Sequence, residues 1–214
     1  MEKSIKIKNT IIILLNLLVV LMEMIGAYHS YHKEGFFSLR YYTVLSNIFA
    51  LVVAFLYAVH YIRNFQQKTV FVPGWLKQMK YIDCICLAVT FVVVLTVLIP
   101  MEGIQSIDHY IFGKANIYHH VFCPIVMIFA FCTLEKERKI SKRDNVLAMI
   151  PTVIYAIVMM ILNLLKILRG PYPFLYVYEQ PVYMSVVWCI AILSLTFGLG
   201  WILRVLNGKG QEKN

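Results

Sequence analysis

Six long apolar runs, separated by short polar clusters, set the pattern of this chain. They cover residues 10–28, 41–61, 81–100, 117–134, 146–168 and 182–206, and each is 18 to 25 residues long. A helix rising 1.5 Å per residue needs about 20 apolar residues to cross ~30 Å of hydrocarbon. The pattern therefore predicts an all-α, polytopic membrane protein with six transmembrane helices. The linkers are too short to hold another domain, so residues 1–214 are expected to form a single integral membrane domain. The first run follows Lys3, Lys6 and Lys8, as the apolar region of a signal peptide would. It is too long for that role and lacks a small-residue cleavage site, so it is expected to remain as a span.

Composition removes other classes. Of the 214 residues, 60% are hydrophobic and 14% charged, against roughly a quarter charged in a soluble domain. The net charge of +9 has no soluble scaffold on which to form a basic stripe. No nucleic-acid partner is expected, and the charge is read as membrane topology and contact with anionic lipid. Lys and Arg are retained on the cytoplasmic side of short loops. Fifteen of the twenty basic residues fall at the N-terminus, between Arg63 and Lys80, between Lys136 and Arg143, and from Arg204 onward. Lys33, Arg40, Lys114, Lys166 and Arg169 fall in the alternate loops. Both termini are thus expected in the cytoplasm, for a multi-pass protein of the cell membrane. Tyr28, Tyr41, Tyr110, Tyr172 and Tyr178 then gather at the outer boundary, where amphipathic rings settle. The polar tail 207–214 is expected to fray. Five Cys, odd in number and scattered through apolar runs, do not form a disulfide framework.

Polar groups inside apolar runs are costly and mark functional candidates. Thr43 and His119 each lie two residues inside the outer end of their segments, within about 5 Å of one membrane level. Ser46 and Asn47 follow Thr43 at i+3 and i+4 on the same helix face. Glu23 shares a face with Asn16, and Gly26 allows close helix approach. A His that takes the proton of a Thr hydroxyl enables it to attack an ester carbonyl and form an acyl-enzyme. The same groups can instead satisfy backbone carbonyls and join helices. A metal reading would use His29, His32, His119, His120, Glu23 and Asp108. No HExxH spacing occurs, and adjacent His119 and His120 point about 100° apart on an α-helix, so no metal and no cofactor is expected. Asp83, Cys84 and Cys86 read as an interfacial acid with two packed thiols at the cytoplasmic boundary, and Pro124 as a kink in the fourth segment.

Three blocks carry a resemblance to a known family. They are Arg40-Tyr41-Tyr42-Thr43-Val44-Leu45-Ser46-Asn47, then Tyr118-His119-His120 with Pro124 five residues beyond His119, then Arg169-Gly170-Pro171-Tyr172-Pro173-Phe174-Leu175. Together they resemble the androgen-induced-protein family of multi-pass intramembrane threonine hydrolases, in a bacterial-type form. The resemblance implies a catalytic Thr on one helix and His on another, acting on lipid esters such as fatty acid esters of hydroxy fatty acids. It carries the nucleophile onto Thr43 and, through the spacing to Pro124, the base onto His119, with His120 beside it as a second candidate. A related acyltransferase-like branch has Cys where the hydrolases have Thr; this chain has Thr, which favours hydrolysis.

The resulting expectation is an intramembrane lipid ester hydrolase working near the outer leaflet on fatty-acyl esters. Thr43 attacks, His119 takes and returns the proton, and Ser46, Asn47 or His120 orients the base or donates to the oxyanion. Arg40, Lys166 and Arg169 either hold a lipid carboxylate or phosphate or anchor in headgroups. The expected partners are membrane lipids and a lipid ester substrate; the sequence assigns no oligomeric state. The alternative is a non-catalytic membrane protein, a small transporter or a lipid-binding protein with a buried polar pocket.

Overall fold

The computed structural model describes residues 2–67, 69–136 and 139–208. Lys68, Arg138, Lys209 and Lys213 of the basic tally, and the expected frayed tail beyond residue 208, lie outside the described residues. Among the described residues the regular structure is helical, with no strand. The principal helices are α1 (Glu2–Glu34), α2 (Tyr42–Arg63), α3 (Gly74–Val93), α4 (Cys123–Thr133), α5 (Ile150–Leu164) and α6 (Val182–Gly208).

Two π-helical turns extend this set. Val94–Leu98 joins α3 to a short helix, Ile99–Glu102, and Ile117–Phe122 leads into α4. Each is followed, after one intervening residue, by a proline: Pro100 and Pro124. Proline has no N–H for the carbonyl four residues back, here Thr96 and His120, and its ring presses on that carbonyl. A wider turn relieves the clash. With these extensions, five helices are long and apolar enough to cross a membrane, and Ile117–Thr133 is a shorter apolar helix at the fourth predicted segment.

The helix α3 is central: it packs on α2, α4 and α6, while α1 packs on α2 and α4. The helix α5 packs mainly on α6 and on the turn Pro173–Leu175, standing off from the other four. Polarity is turned inside out relative to a water-soluble bundle. Leu14, Leu18, Leu21, Phe55, Ile157 and Ile190 are exposed, whereas Asn16, Glu23, Lys77, Lys80, Asp83 and Glu135 are buried. An apolar outer surface of this extent is costly in water and suited to lipid.

The helix α3 begins at Gly74, a full two turns before the predicted segment. Asp83, expected at an interface, is therefore an interior residue with no exposure, and Lys77 and Lys80 are core residues rather than loop charges. Lys80 Nζ lies 3.3 Å from Glu135 Oε1 and donates to Asn16 Oδ1 at 2.7 Å; Asn16 Nδ2 in turn donates to Glu135 Oε1 at 2.8 Å. Lys77 donates to the Glu135 carbonyl, and Asn207 of α6 donates to the carbonyls of Phe131 and Glu135 at 2.6 and 2.9 Å. These bonds serve carbonyls at the end of α4 that have no partner within the helix. Without Lys77 and Lys80 the charge asymmetry still runs thirteen to five in the same direction.

Candidate functional site

Thr43 is the second residue of α2, after the extended Tyr41 at the N-cap. Backbone N–H groups in a first turn have no partner within the helix, and that of Thr43 faces the Tyr172 hydroxyl at 3.4 Å. The Thr43 Oγ1 atom is 3.4 Å from the same hydroxyl and 3.4 Å from His120 Nε2. These separations exceed those of well-formed bonds, as resting hydroxyl–imidazole pairs commonly do before substrate tightens them. His120 Nδ1 lies 2.6 Å from the Tyr110 carbonyl oxygen. A carbonyl only accepts, so Nδ1 carries the proton and Nε2 turns its lone pair to Thr43. Tyr110 ends the short helix Ile107–Tyr110, which leaves its carbonyl free for this bond. Burial pushes the Tyr172 phenol up, so it stays a protonated donor at neutral pH.

His119 takes another direction from the same π turn. Its Nε2 lies 3.1 Å from Ser30 Oγ, and its Nδ1 lies 3.2 Å from Glu23 Oε2 at ion-pair distance, without the alignment of a hydrogen bond. Both rings are buried, each serving a different neighbour: His119 faces α1 and His120 faces α2. Gly26 makes room for this, since a Cβ there would lie 2.6 Å from His119 Cε1. The expected Thr43–His119 pair is thus not brought together; the ring beside Thr43 is that of the second candidate, His120.

The other candidates are placed as follows. Asn47, without exposure, donates through Nδ2 to the carbonyls of Thr43 at 2.7 Å and His119 at 3.2 Å, tying α2 to the π turn. Ser46 Oγ donates to the Thr43 carbonyl at 3.0 Å and meets Thr90 Oγ1 at 3.3 Å. Both polar side chains therefore hold backbone rather than reach the Thr43 hydroxyl. Arg40 pairs with Glu34 at 3.0 Å and lies over the Phe37 ring, and Arg169 pairs with Glu179 at 2.8 Å on the surface. Lys166 follows the end of α5 in the left-handed conformation, φ 57°, where helices commonly terminate, and its ammonium lies over Tyr178. Among the described residues, no group of three or more His, Cys, Asp or Glu side chains is arranged to share a metal ion.

Two cavities meet at Thr43. The standoff of α5 leaves one of about 310 Å³, lined by apolar groups such as Val89, Val93, Phe174 and Trp188. The other, about 170 Å³, is a polar chamber bordered by Ser30, Lys33, His109, His119 and His120. Thr43 and Tyr172 belong to the walls of both. Ser30 escaped the sequence reading, although Glu23, Gly26 and Ser30 share one helix face at i, i+3 and i+7. Tyr172 drew notice only as a boundary aromatic and as part of a motif block, and the Tyr110 contribution is a backbone carbonyl, which leaves no trace in residue types. Protein-family models, curated proteins and solved structures were all searched, and none matches this chain.

Proposed function

We propose that the protein is an intramembrane lipid ester hydrolase in which Thr43 is the nucleophile and His120 its general base. The observation that carries this reading is the position of Thr43 at the seam of an apolar cavity and a polar chamber, with His120 Nε2 and the Tyr172 hydroxyl both 3.4 Å from its Oγ1. An acyl chain fits the apolar side and the hydrated part of an ester the polar side, so the carbonyl between them meets the hydroxyl. Thr43 Oγ1 attacks that carbonyl as its proton passes to His120 Nε2, and the alcohol leaves with the same proton. Water then opens the acyl-threonine, giving a proton to His120, which passes it to the departing Thr43 oxygen as the acid is released. Tyr172 and the Thr43 N–H are the donors available to the developing oxyanion.

Six spans complete the reading, with both termini in the cytoplasm and the Thr43 end of the bundle toward the outer leaflet. Ile117–Thr133 rises about 25 Å, near the short limit for a span, and it packs among the other helices rather than on their surface. The bias of basic residues supplies the orientation. Reporter fusions at either terminus are expected to read out in the cytoplasm, and a terminal signal outside would overturn the orientation.

The chemistry is tested by fluorophosphonate labelling of the protein in nanodiscs. An adduct is expected on Thr43 in the wild type, absent from Thr43→Ala. Absence of a Thr43 adduct in folded wild type would refute the threonine mechanism, and a folded wild type that binds lipid yet carries no adduct at any residue would instead be a lipid-binding protein with a polar pocket.

A further inference from the structure

A second hydroxyl and imidazole, those of Ser30 and His119, border the polar chamber, and the Glu23 carboxylate lies buried on the far side of the ring. Ser30 Oγ is 3.1 Å from His119 Nε2, and Glu23 Oε2 is 3.2 Å from His119 Nδ1. Ser30 borders the chamber, while Glu23 and His119 are each about 1% exposed. Three features of α1 and the π turn build this arrangement. Glu23, Gly26 and Ser30 form one stripe on α1, Gly26 lets the His119 ring approach that stripe closely, and Asn47 fixes the His119 backbone from α2. Glu23 Oε2, at ion-pair distance from Nδ1, places a negative charge beside the ring that stabilises the imidazolium formed when Nε2 takes the hydroxyl proton. A serine that merely caps a backbone group serves no such role, whereas the Ser30 hydroxyl meets the ring.

We propose that Ser30, His119 and Glu23 form a second nucleophilic site in this protein, separate from the Thr43 pair and directed at short, polar acyl esters. The substrate class follows from the walls. Ser30 borders the 170 Å³ chamber beside Lys33, His109 and Asn116 and is not part of the wall of the apolar cavity, whereas Thr43 faces both. In the step, Ser30 Oγ bonds to the acyl carbon while its proton moves to His119 Nε2. The alcohol leaves with that proton, and water, deprotonated by His119, then releases the acid and restores Ser30. Glu23 is a positioning residue, acting through the ring. The proposal rests on the general reading of the site as esterolytic, but not on Thr43 being its nucleophile.

Tryptic peptides separate the two sites. Cleavage after Lys8, Lys33, Arg40 and Arg63 leaves Ser30 in the fragment 9–33, as its sole serine, and Thr43 in the fragment 41–63. Full-length protein in nanodiscs is treated with a small fluorophosphonate, and adducts are mapped by mass spectrometry. The expected result is an adduct on Ser30 that persists in Thr43→Ala and disappears in Ser30→Ala. Gly26→Ala, which pushes the ring away, and Glu23→Gln, which keeps shape but removes the charge, are each expected to slow Ser30 labelling about a hundredfold. Glu23→Asp, which restores a carboxylate, is expected to recover part of that rate. Continued shielding of Cys84, Cys86 and Cys123, all buried, from a thiol reagent certifies that each variant is folded. Absence of a Ser30 adduct in folded wild type overturns the proposal, as does Ser30 labelling that ignores both Gly26→Ala and Glu23→Gln. An adduct on Ser30 with none on Thr43 would retain this site and refute the threonine mechanism; the converse would do the reverse.

Discussion

Thr43→Ala and His120→Ala are each expected to lower long-chain ester turnover by about 10³- to 10⁴-fold, and the double variant to lose no more than either alone. A threonine hydroxyl is a weak nucleophile until a base accepts its proton, and the imidazole has no task in the reaction without the hydroxyl. Removing either member therefore removes one shared step, worth about 5 kcal/mol of barrier at the upper end of that range. Thr43→Ser keeps the oxygen and is expected to retain much of the rate. His119→Ala supplies the contrast, because the family resemblance implies His119 as the base whereas the ring beside Thr43 is that of His120 at 3.4 Å. Turnover measured in nanodiscs for the three single variants and the double decides the matter. If His119→Ala is the costly change and His120→Ala retains activity, the assignment returns to His119 and the resting geometry around Thr43 is not that of the reacting state.

That ambiguity shows where sequence reasoning stops. Apolar runs of span length are visible in one dimension because a bilayer imposes its thickness on each helix separately. Thr43 was legible for the same reason, as a hydroxyl at a shared depth with two histidines. The choice between those histidines was not, because it depends on a π turn. On a regular α-helix, residues 119 and 120 diverge by about 100° and only one can serve a given cavity wall. In the wider turn both are buried, and each finds its own hydroxyl on a different helix. Pro124 was the available signal, read as a kink rather than as a widened turn. Lys77 and Lys80 misled in a different way. A lysine near an apolar run reads as a solvated flank, and what permits burial here is Glu135 and Asn16, far away along the chain. Hydropathy carries no record of such pairing.

Lys80→Met is accordingly expected to destabilise the fold by about 3–5 kcal/mol, through loss of the counter-charge rather than through loss of volume. Lys80 and Glu135 side chains have no exposure, and Asn16 bonds to both, closing a small polar ring among α1, α3 and the end of α4. Removing the ammonium leaves the Glu135 carboxylate buried with a single amide donor, Asn16 Nδ2, on its Oε1 and no hydrogen-bond partner for its Oε2. The Asp83 carboxyl, one turn along α3, also has no hydrogen-bond partner among the described residues, so the same substitution removes a nearby positive charge from two acids and leaves Lys77, which bonds the Glu135 carbonyl, as a remaining buried cation there. The melting midpoint is expected to fall on the order of 10 °C, read in detergent by the exposure of Cys84, Cys86 and Cys123 to a thiol-reactive dye. Replacing the whole ring, as Lys80→Met with Glu135→Leu and Asn16→Leu, removes every group that needed compensation. A buried ion pair exchanged for apolar residues of similar volume is often neutral or better, so the triple variant is expected to recover most of the loss. Should Lys80→Met melt with the wild type, the Lys80–Glu135 pair would not be holding α3 to α4, and the bundle's cohesion would have to come from packing of Tyr57, Tyr81, Met127 and Phe131 around it.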